Sequence, residues 1–374
     1  MNSSETDILI IADSDRNADM LYASGIFIPD AFTFFRVKGK TVIIVNDLEI
    51  DRARRDARVD LVLSYSDLEF SFKTGQKKKR PSYCEVVAAS LKYFKAKRFF
   101  VPPTFPYKMA LDLRKQGIVT VPVDAIFPKR EFKTENEIKL IGDSLRLTEA
   151  GMLAAYNLIK NSSIKGRFLE YKGEKVTSEM VRAEIDTTIA RRGGLASNTI
   201  VACGNQACDP HERGHGSLYA GETIIVDIFP RHQGSGYYGD MTRTWVRGKA
   251  SSKLKKMYKV VRQGQQIAYK GMRPGQDGAL VHESIKAYFA EQGFPTERVQ
   301  GRQSGFFHGT GHGLGLDIHE EPRFGKTQFK KGQVITVEPG LYYCGLGGIR
   351  VEDVAVVTGK GAKVISKFHY TFEI

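Results

Sequence analysis

The chain has 374 residues, 41% hydrophobic and 26% charged, with a formal net charge of +14. That balance excludes disordered and fibrous classes and leaves room for two ordinary globular domains. No apolar run approaches the length of a membrane-spanning helix. The start, Met1-Asn-Ser-Ser-Glu-Thr-Asp7, lacks the apolar core of a signal peptide, so a cytoplasmic protein with no membrane partner is expected.

Residues 1–128 alternate short apolar runs with helical stretches. Asp7–Ala12, Lys40–Val45, Val59–Leu63, Phe99–Val101 and Ile118–Val121 read as strands, with helices over Asp47–Asp56, Cys84–Ala96 and Tyr107–Gln116. The alternation predicts an α/β domain, a mainly parallel or mixed sheet with helices on both faces. No Gly-x-Gly-x-x-Gly follows the first strand, which argues against a dinucleotide site. The densest basic clusters, Lys77-Lys-Lys-Arg80 and Lys95-Ala-Lys-Arg98, carry no interleaved stacking aromatics. They read as a solvated face, not a nucleic-acid site. The four cysteines, Cys84, Cys203, Cys208 and Cys344, are too few and scattered for a disulfide scaffold and are expected reduced.

Proline breaks the pattern at Phe127-Pro-Lys-Arg-Glu-Phe-Lys133, which sets the expected boundary between domains 1–128 and 129–374. Thr134 and Glu137 then form a capping box, opening a long helix with Ile138, Ile141, Leu145 and Met152 on its apolar face. From here a unit recurs: helices 134–160 and 178–191 precede strands carrying Asp227 and Asp240. Helices 252–270 and 276–292 precede strands carrying Glu338 and Glu352. Such a pair would set two acids from each half face to face across a shared sheet.

These acids carry the functional argument. Each sits inside or at the end of an apolar, β-branched run: Thr223-Ile-Ile-Val-Asp227, Asp240-Met-Thr-Arg-Thr-Trp245, Val334-Ile-Thr-Val-Glu338 and Gly348-Ile-Arg-Val-Glu352. A buried ionised carboxylate without a cation is strongly unfavourable. Between the pairs lies Gly309-Thr-Gly-His-Gly-Leu-Gly-Leu-Asp-Ile-His319, whose four glycines frame His312 and allow close backbone approach to a ligand. Four acids and one glycine-framed histidine are best explained by two divalent metal ions in a carboxylate cage. The oxygen-rich donor set suits manganese first, then cobalt or zinc. Two such ions about 3.5–4 Å apart can hold a bridging hydroxide and polarise a carbonyl.

Asp227, Asp240, His312, Glu338 and Glu352, in that order, resemble the ligand set of the methionine aminopeptidase, aminopeptidase P and prolidase superfamily. Pro29-Asp-Ala-Phe32 and Asp47-Leu-Glu-Ile-Asp-Arg-Ala-Arg-Arg55 extend the resemblance to the creatinase/prolidase amino-terminal domain. The implied fold is that domain followed by an α+β pita-bread catalytic domain with pseudo-two-fold symmetry. The implied activity is hydrolysis of the bond between an N-terminal residue and a following proline in small peptides, by an aminopeptidase or dipeptidase with a metal-bridging hydroxide. A homodimer is also implied.

The resemblance implies roles residue by residue. Asp240 and Glu352 should bridge two metals, Asp227 should chelate one, and His312 with Glu338 should complete the other. Glu338 matches the position that shuttles a proton, and His319 the one that holds the peptide carbonyl. His211 and His308 match substrate-pocket histidines. Arg323 is the only arginine between His319 and Glu338, where prolidase-type dipeptidases often grip a free carboxylate. Strand alternation pairs Arg350 with Glu352 on one face, with the arginine at the site mouth. Tyr342 reads as a hydrogen-bond donor to substrate or as packing. His215, His232, His282 and His369 read as ordinary polar residues. Asp227 and Asp240 are more widely spaced than the family pattern, by an even number of residues, so both can still face one side; Gly234-Ser-Gly236 is the natural longer turn. The competing readings are a non-catalytic binding protein on the same fold, with nucleic acid or protein as partner, and an aminopeptidase of other specificity.

Overall fold

The computed structural model describes residues 6–76 and 80–374, so Lys77, Lys78 and Lys79 of the first basic cluster lie outside it. Arg80, at its edge, bonds Glu69 at 2.8 Å, and Lys95, Lys97 and Arg98 are exposed. Two compact units are present, Met1–Pro128 and Lys129–Ile374.

In the first unit a six-stranded sheet runs in the order Leu61–Ser64, Lys40–Val45, Phe32–Val37, Ile8–Ala12, Arg98–Val101, Val119–Pro122. The sheet is mixed. Strand Ile8–Ala12 pairs antiparallel with Phe32–Val37 and parallel with Arg98–Val101. Successive residues of Ile8–Ala12 feed opposite faces, as the period of two requires. Ile8 and Ile10 pack with Met20 and Ala53, whereas Leu9 and Ile11 pack with Val87, Leu91 and Leu113. Helices therefore cover both faces. Strand Phe32–Val37 and helices Ala18–Ser24 and Tyr65–Gln76 have no counterpart in the sequence reading. The helix expected from Asp47 starts at Ile50, because the Asp47 carboxylate instead accepts hydrogen bonds from the Ser64 and Ser66 hydroxyls.

The second unit opens with helix Glu135–Lys160 behind the Thr134/Glu137 capping box. It packs on helix Ser178–Ala190, and helix Ser252–Gly271 packs on Gly278–Glu291. The two pairs are built alike. A glycine on each long helix, Gly151 or Gly264, lies against two large residues four apart on its partner, Ile185 and Ile189 or Ile285 and Phe289. A Cβ at Gly264 would lie 2.6 Å from the Phe289 ring, so glycine is what permits that crossing. Each pair then covers one sheet: Ile185, Ile189, Val226 and Trp245 share one core, and Val261, Ile285, Phe289, Ile335 and Val357 share another.

The strands do not form the single shared sheet expected. Ile200–Cys203, Thr223–Ile228 and Met241–Val246 make a three-stranded sheet. Glu320–Arg323, His312–Gly313, Val334–Val337, Asp353–Thr358 and Gly361–Val364 make a five-stranded one. Hairpin Gly340–Tyr343/Gly347–Arg350 forms a separate two-stranded sheet, with one further bridge from Tyr342 to Gly305. Side chains and single backbone bonds join the sheets: the Thr244 hydroxyl donates to the Arg350 carbonyl at 2.8 Å, and the Glu352 N–H donates to the Thr242 carbonyl at 3.0 Å. Beneath the seam, the Arg243 guanidinium meets the Asp353 carboxylate at 2.9 Å, both 1% exposed.

Asp353→Ala should leave Arg243 charged and unpaired in the interior. A loss of about 3–5 kcal/mol is expected, read in a thermal melt as a Tm lower by about 6–20 °C.

Candidate active site and metal centre

The seam between the sheets is where the acids meet. Asp227 lies inside its strand, Asp240 and Glu338 lie just outside theirs, and Glu352 sits in the break between Gly347–Arg350 and Asp353–Thr358. Asp227, Asp240, Glu352 and His312 are all buried. One donor atom each from Asp240, His312 and Glu352 lies within 4.8 Å of the others. His312 Nε2 is 3.3 Å from Glu338 Oε1 and 3.7 Å from Asp240 Oδ2.

The glycines on either side of His312, Gly311 and Gly313, are required by the neighbouring protein backbone. A Cβ at Gly311 would fall 1.8 Å from the Thr336 carbonyl oxygen, and one at Gly313 would fall 2.3 Å from that of Glu321. Only glycine lets the His312 segment press between its neighbouring strands. The Thr336 hydroxyl accepts the His312 N–H at 3.0 Å and donates to Glu338 at 3.2 Å. The Thr242 hydroxyl donates to Glu352 at 2.7 Å. Gln265 Nε2 donates to the carbonyls of Val337 and Val351, the residues just before Glu338 and Glu352.

This donor set fits divalent metal. His312 Nδ1 lies 3.1 Å from the Gly313 carbonyl, an acceptor only, so Nδ1 carries the proton and the Nε2 lone pair faces carboxylates. Lone pair against carboxylate is repulsive without a cation between them. Asp227 Oδ1 is buried with no partner. Burial, reinforced by the neighbouring acids, raises the carboxyls of Asp240 and Glu352 well above their usual range. Glu338 is pushed up to about 7, mainly by burial. Burial also lowers the His312 imidazole to about 3, keeping it neutral and able to donate a lone pair.

Around the acids lies a cavity of about 1170 Å³ lined by all five of these side chains and by His211, His308, His319, Arg323 and Arg350. The His319 ring stands edge-on to His312 with centroids 4.3 Å apart, and burial lowers its imidazole below the usual range. His211 is exposed at the wall. Among the described residues Arg323 has no ion-pair partner.

Two expectations are corrected. Arg350 is neither at the mouth nor paired with Glu352: it is 3% exposed and its Nη2 meets Asp227 Oδ2 at 2.7 Å. Glu352 has left the strand, so the alternation argument does not reach it. Arg350 also donates to the Tyr342 hydroxyl at 2.9 Å and to the Pro210 carbonyl at 3.3 Å. It therefore fixes Asp227. Tyr342 does not line the cavity; its hydroxyl lies 2.9 Å from His308 Nε2, holding that ring from behind.

Of the histidines read as ordinary, His215 and His232 bond neighbouring residues, and His369 packs on Tyr156 and Phe368. His282, however, lines the cavity. The sequence carries no local signal for this, because the helix start reaches the wall through the packing of Gly278 on Phe324.

The profile of metallopeptidase family M24 matches residues 139–359. A Xaa-Pro dipeptidase of Pyrococcus horikoshii is 26% identical over 377 residues, covering 98% of this chain and 94% of that protein. The solved Xaa-Pro dipeptidase from Bacillus anthracis superposes with a TM-score of 0.81 at 24% identity, covering 100% of this chain and 96% of that one. The X-Pro aminopeptidase from Thermotoga maritima superposes at 0.80 and 20% identity, covering 98% and 97%. Fold and site thus define a metallopeptidase of the pita-bread type. The chain belongs to metallopeptidase family M24, in its aminopeptidase P and prolidase group. That family membership implies divalent metal ions. Among the described residues no helix is long and apolar enough to cross a membrane.

Protein stripped with a chelator should gain thermal stability on titration with manganese, because an ion bound only by the folded chain stabilises it. Uptake must also displace the proton that Glu338 holds below about pH 7. Apparent affinity, measured by calorimetry at pH 6 and pH 8, should therefore weaken by about tenfold or more per pH unit on the acid side.

Proposed function

We propose that this protein is a dinuclear metal-dependent exopeptidase that hydrolyses the bond between an N-terminal residue and a following proline. The observation carrying the proposal is the cluster of four acids and His312 at the wall of one cavity, with Arg350 engaged by Asp227. The names of the relatives, Xaa-Pro dipeptidase and X-Pro aminopeptidase, supply the substrate class.

Asp240 and Glu352 would be shared by two ions, Asp227 would help hold one of them, and His312 with Glu338 would help hold the other. Manganese suits this oxygen-rich set. Divalent ions, when bound, lower the pKa of water and polarise a carbonyl. Glu338 would take a proton from the attacking water and return it to the departing proline nitrogen. His319 hydrogen-bonds the scissile carbonyl, with most effect as charge develops on its oxygen. His211 and His308 line the substrate wall; the Tyr342 hydroxyl fixes the His308 ring, which burial keeps neutral. Arg323, whose guanidinium has no ion pair among the described residues, is assigned to the free carboxylate of a dipeptide, which favours dipeptides over longer peptides. Residues 1–128 are assigned as a creatinase/prolidase-like, non-catalytic domain, and the working unit as a homodimer.

With manganese added, Ala-Pro should be cleaved faster than Ala-Pro-Ala, and chelation should abolish both activities. Absence of metal-dependent cleavage of either peptide would reject the proposal. His319→Ala should lower kcat by about 10²–10³-fold, the usual effect of removing one donor to a developing oxyanion, measured on Ala-Pro by release of free proline.

A further inference from the structure

One cavity-lining group has no part in the chemistry assigned above. His282 sits one turn into helix Gly278–Glu291, on the side that also presents Gly278, Ile285 and Phe289. Those three are buried. The start of this helix is pressed hard against the segment Phe324–Lys326: a Cβ at Gly278 would lie 1.8 Å from the Phe324 carbonyl oxygen. The tight contact carries the first turn to the cavity wall, where His282 and Lys326 both stand.

An imidazole on a mostly apolar helix face must satisfy two ring nitrogens. His282 satisfies one within the protein. Its Nδ1 lies 2.8 Å from the hydroxyl of Thr310, a residue with no exposure. The ring also leans on Phe306, centroids 5.1 Å apart, and Phe306 in turn stands edge-on to His308 at 5.1 Å. Thr310 is itself fixed, since its carbonyl accepts the Glu338 N–H at 2.8 Å. The second nitrogen, Nε2, has no protein hydrogen bond among the described residues. A half-buried ring clamped by one nitrogen, on a cavity wall, holds its other nitrogen as a preoriented group for whatever fills the cavity.

We infer that His282 is a specificity-determining residue that hydrogen-bonds the bound peptide through the ring nitrogen not held by Thr310. It acts in binding, not in the proton transfers. The inference rests on the peptidase reading above and adds to it a recognition contact outside the acid cluster. The contact suits a peptide carbonyl or carboxylate when Nε2 carries the proton, and the Thr310 hydroxyl then donates to Nδ1.

The test compares wild type, His282→Ala, His282→Gln and Thr310→Val on Ala-Pro in the manganese-loaded enzyme, with circular dichroism as a folding control. His282→Ala should raise KM about 3- to 10-fold with kcat within about twofold, the value of one neutral hydrogen bond. His282→Gln, whose amide reaches a similar point, should recover part of that loss. Thr310→Val, which keeps the ring but removes its clamp, should give an intermediate KM. A fall in kcat at unchanged KM would place His282 in support of the Glu338 segment and overturn the inference, as would unchanged kinetics in all three variants. If His282→Ala does not fold, the His282→Gln and Thr310→Val values decide by the same criteria. Wild type that cleaves no Xaa-Pro peptide would instead reject the activity, and the substrate contact with it; wild-type cleavage with indifferent variants rejects only the contact.

Discussion

The structure turns on the mutual repulsion of four carboxylates in one buried seam. Asp227, Asp240, Glu338 and Glu352 face a common cavity whose innermost cation is Arg350, already engaged by Asp227. Burial first, and then the neighbouring like charges, raise the proton affinity of Asp240 and Glu352. Divalent ions resolve the repulsion by supplying more positive charge per volume than any side chain. A set of acids that is a liability by itself becomes a strong binding site once cations enter.

A site that repels itself must be held by the rest of the chain. Arg243, buried against Asp353, also donates to the Glu352 carbonyl at 2.6 Å. Asp353 accepts further from Ser366, Tyr370 and Gln265, so this interior charge pair is fully hydrogen-bonded. Such pairs contribute little net stability but strongly penalise alternatives. Here the pair fixes the backbone on either side of Glu352. Gln265 does the same for the approaches to Glu338 and Glu352. The carboxylates of the seam are thereby held by strand ends and by side chains borne on helices.

The paired architecture explains why the acids arrive two by two. Two helix pairs, each crossing at a glycine, carry two sheets whose strand ends converge. The sheets stay separate ladders, and the gap between them is where Glu352 breaks out of its strand. A continuous sheet would have used that backbone in pairing and left the carboxylate on a regular face. Interrupted pairing makes room for the cage.

Much of this was legible in the chain. The four acids at the ends of apolar runs, the Gly-His-Gly segment, the Thr134/Glu137 cap and the four long helices are local patterns, readable because burial and helix periodicity leave a mark on neighbouring residues. The same local logic missed strand Phe32–Val37, placed the mouth of the site at Arg350 and gave no sign that His282 lines the cavity. Those outcomes depend on which distant segments meet. Arg350 finds Asp227 across more than a hundred residues, Tyr342 finds His308, and His282 finds Thr310. The sequence by itself determined which acids would need partners, because a buried charge demands one wherever it lies. Only the tertiary structure decided which side chains take up the remaining hydrogen bonds, because those partners are chosen by packing between the two sheets and have no local signature.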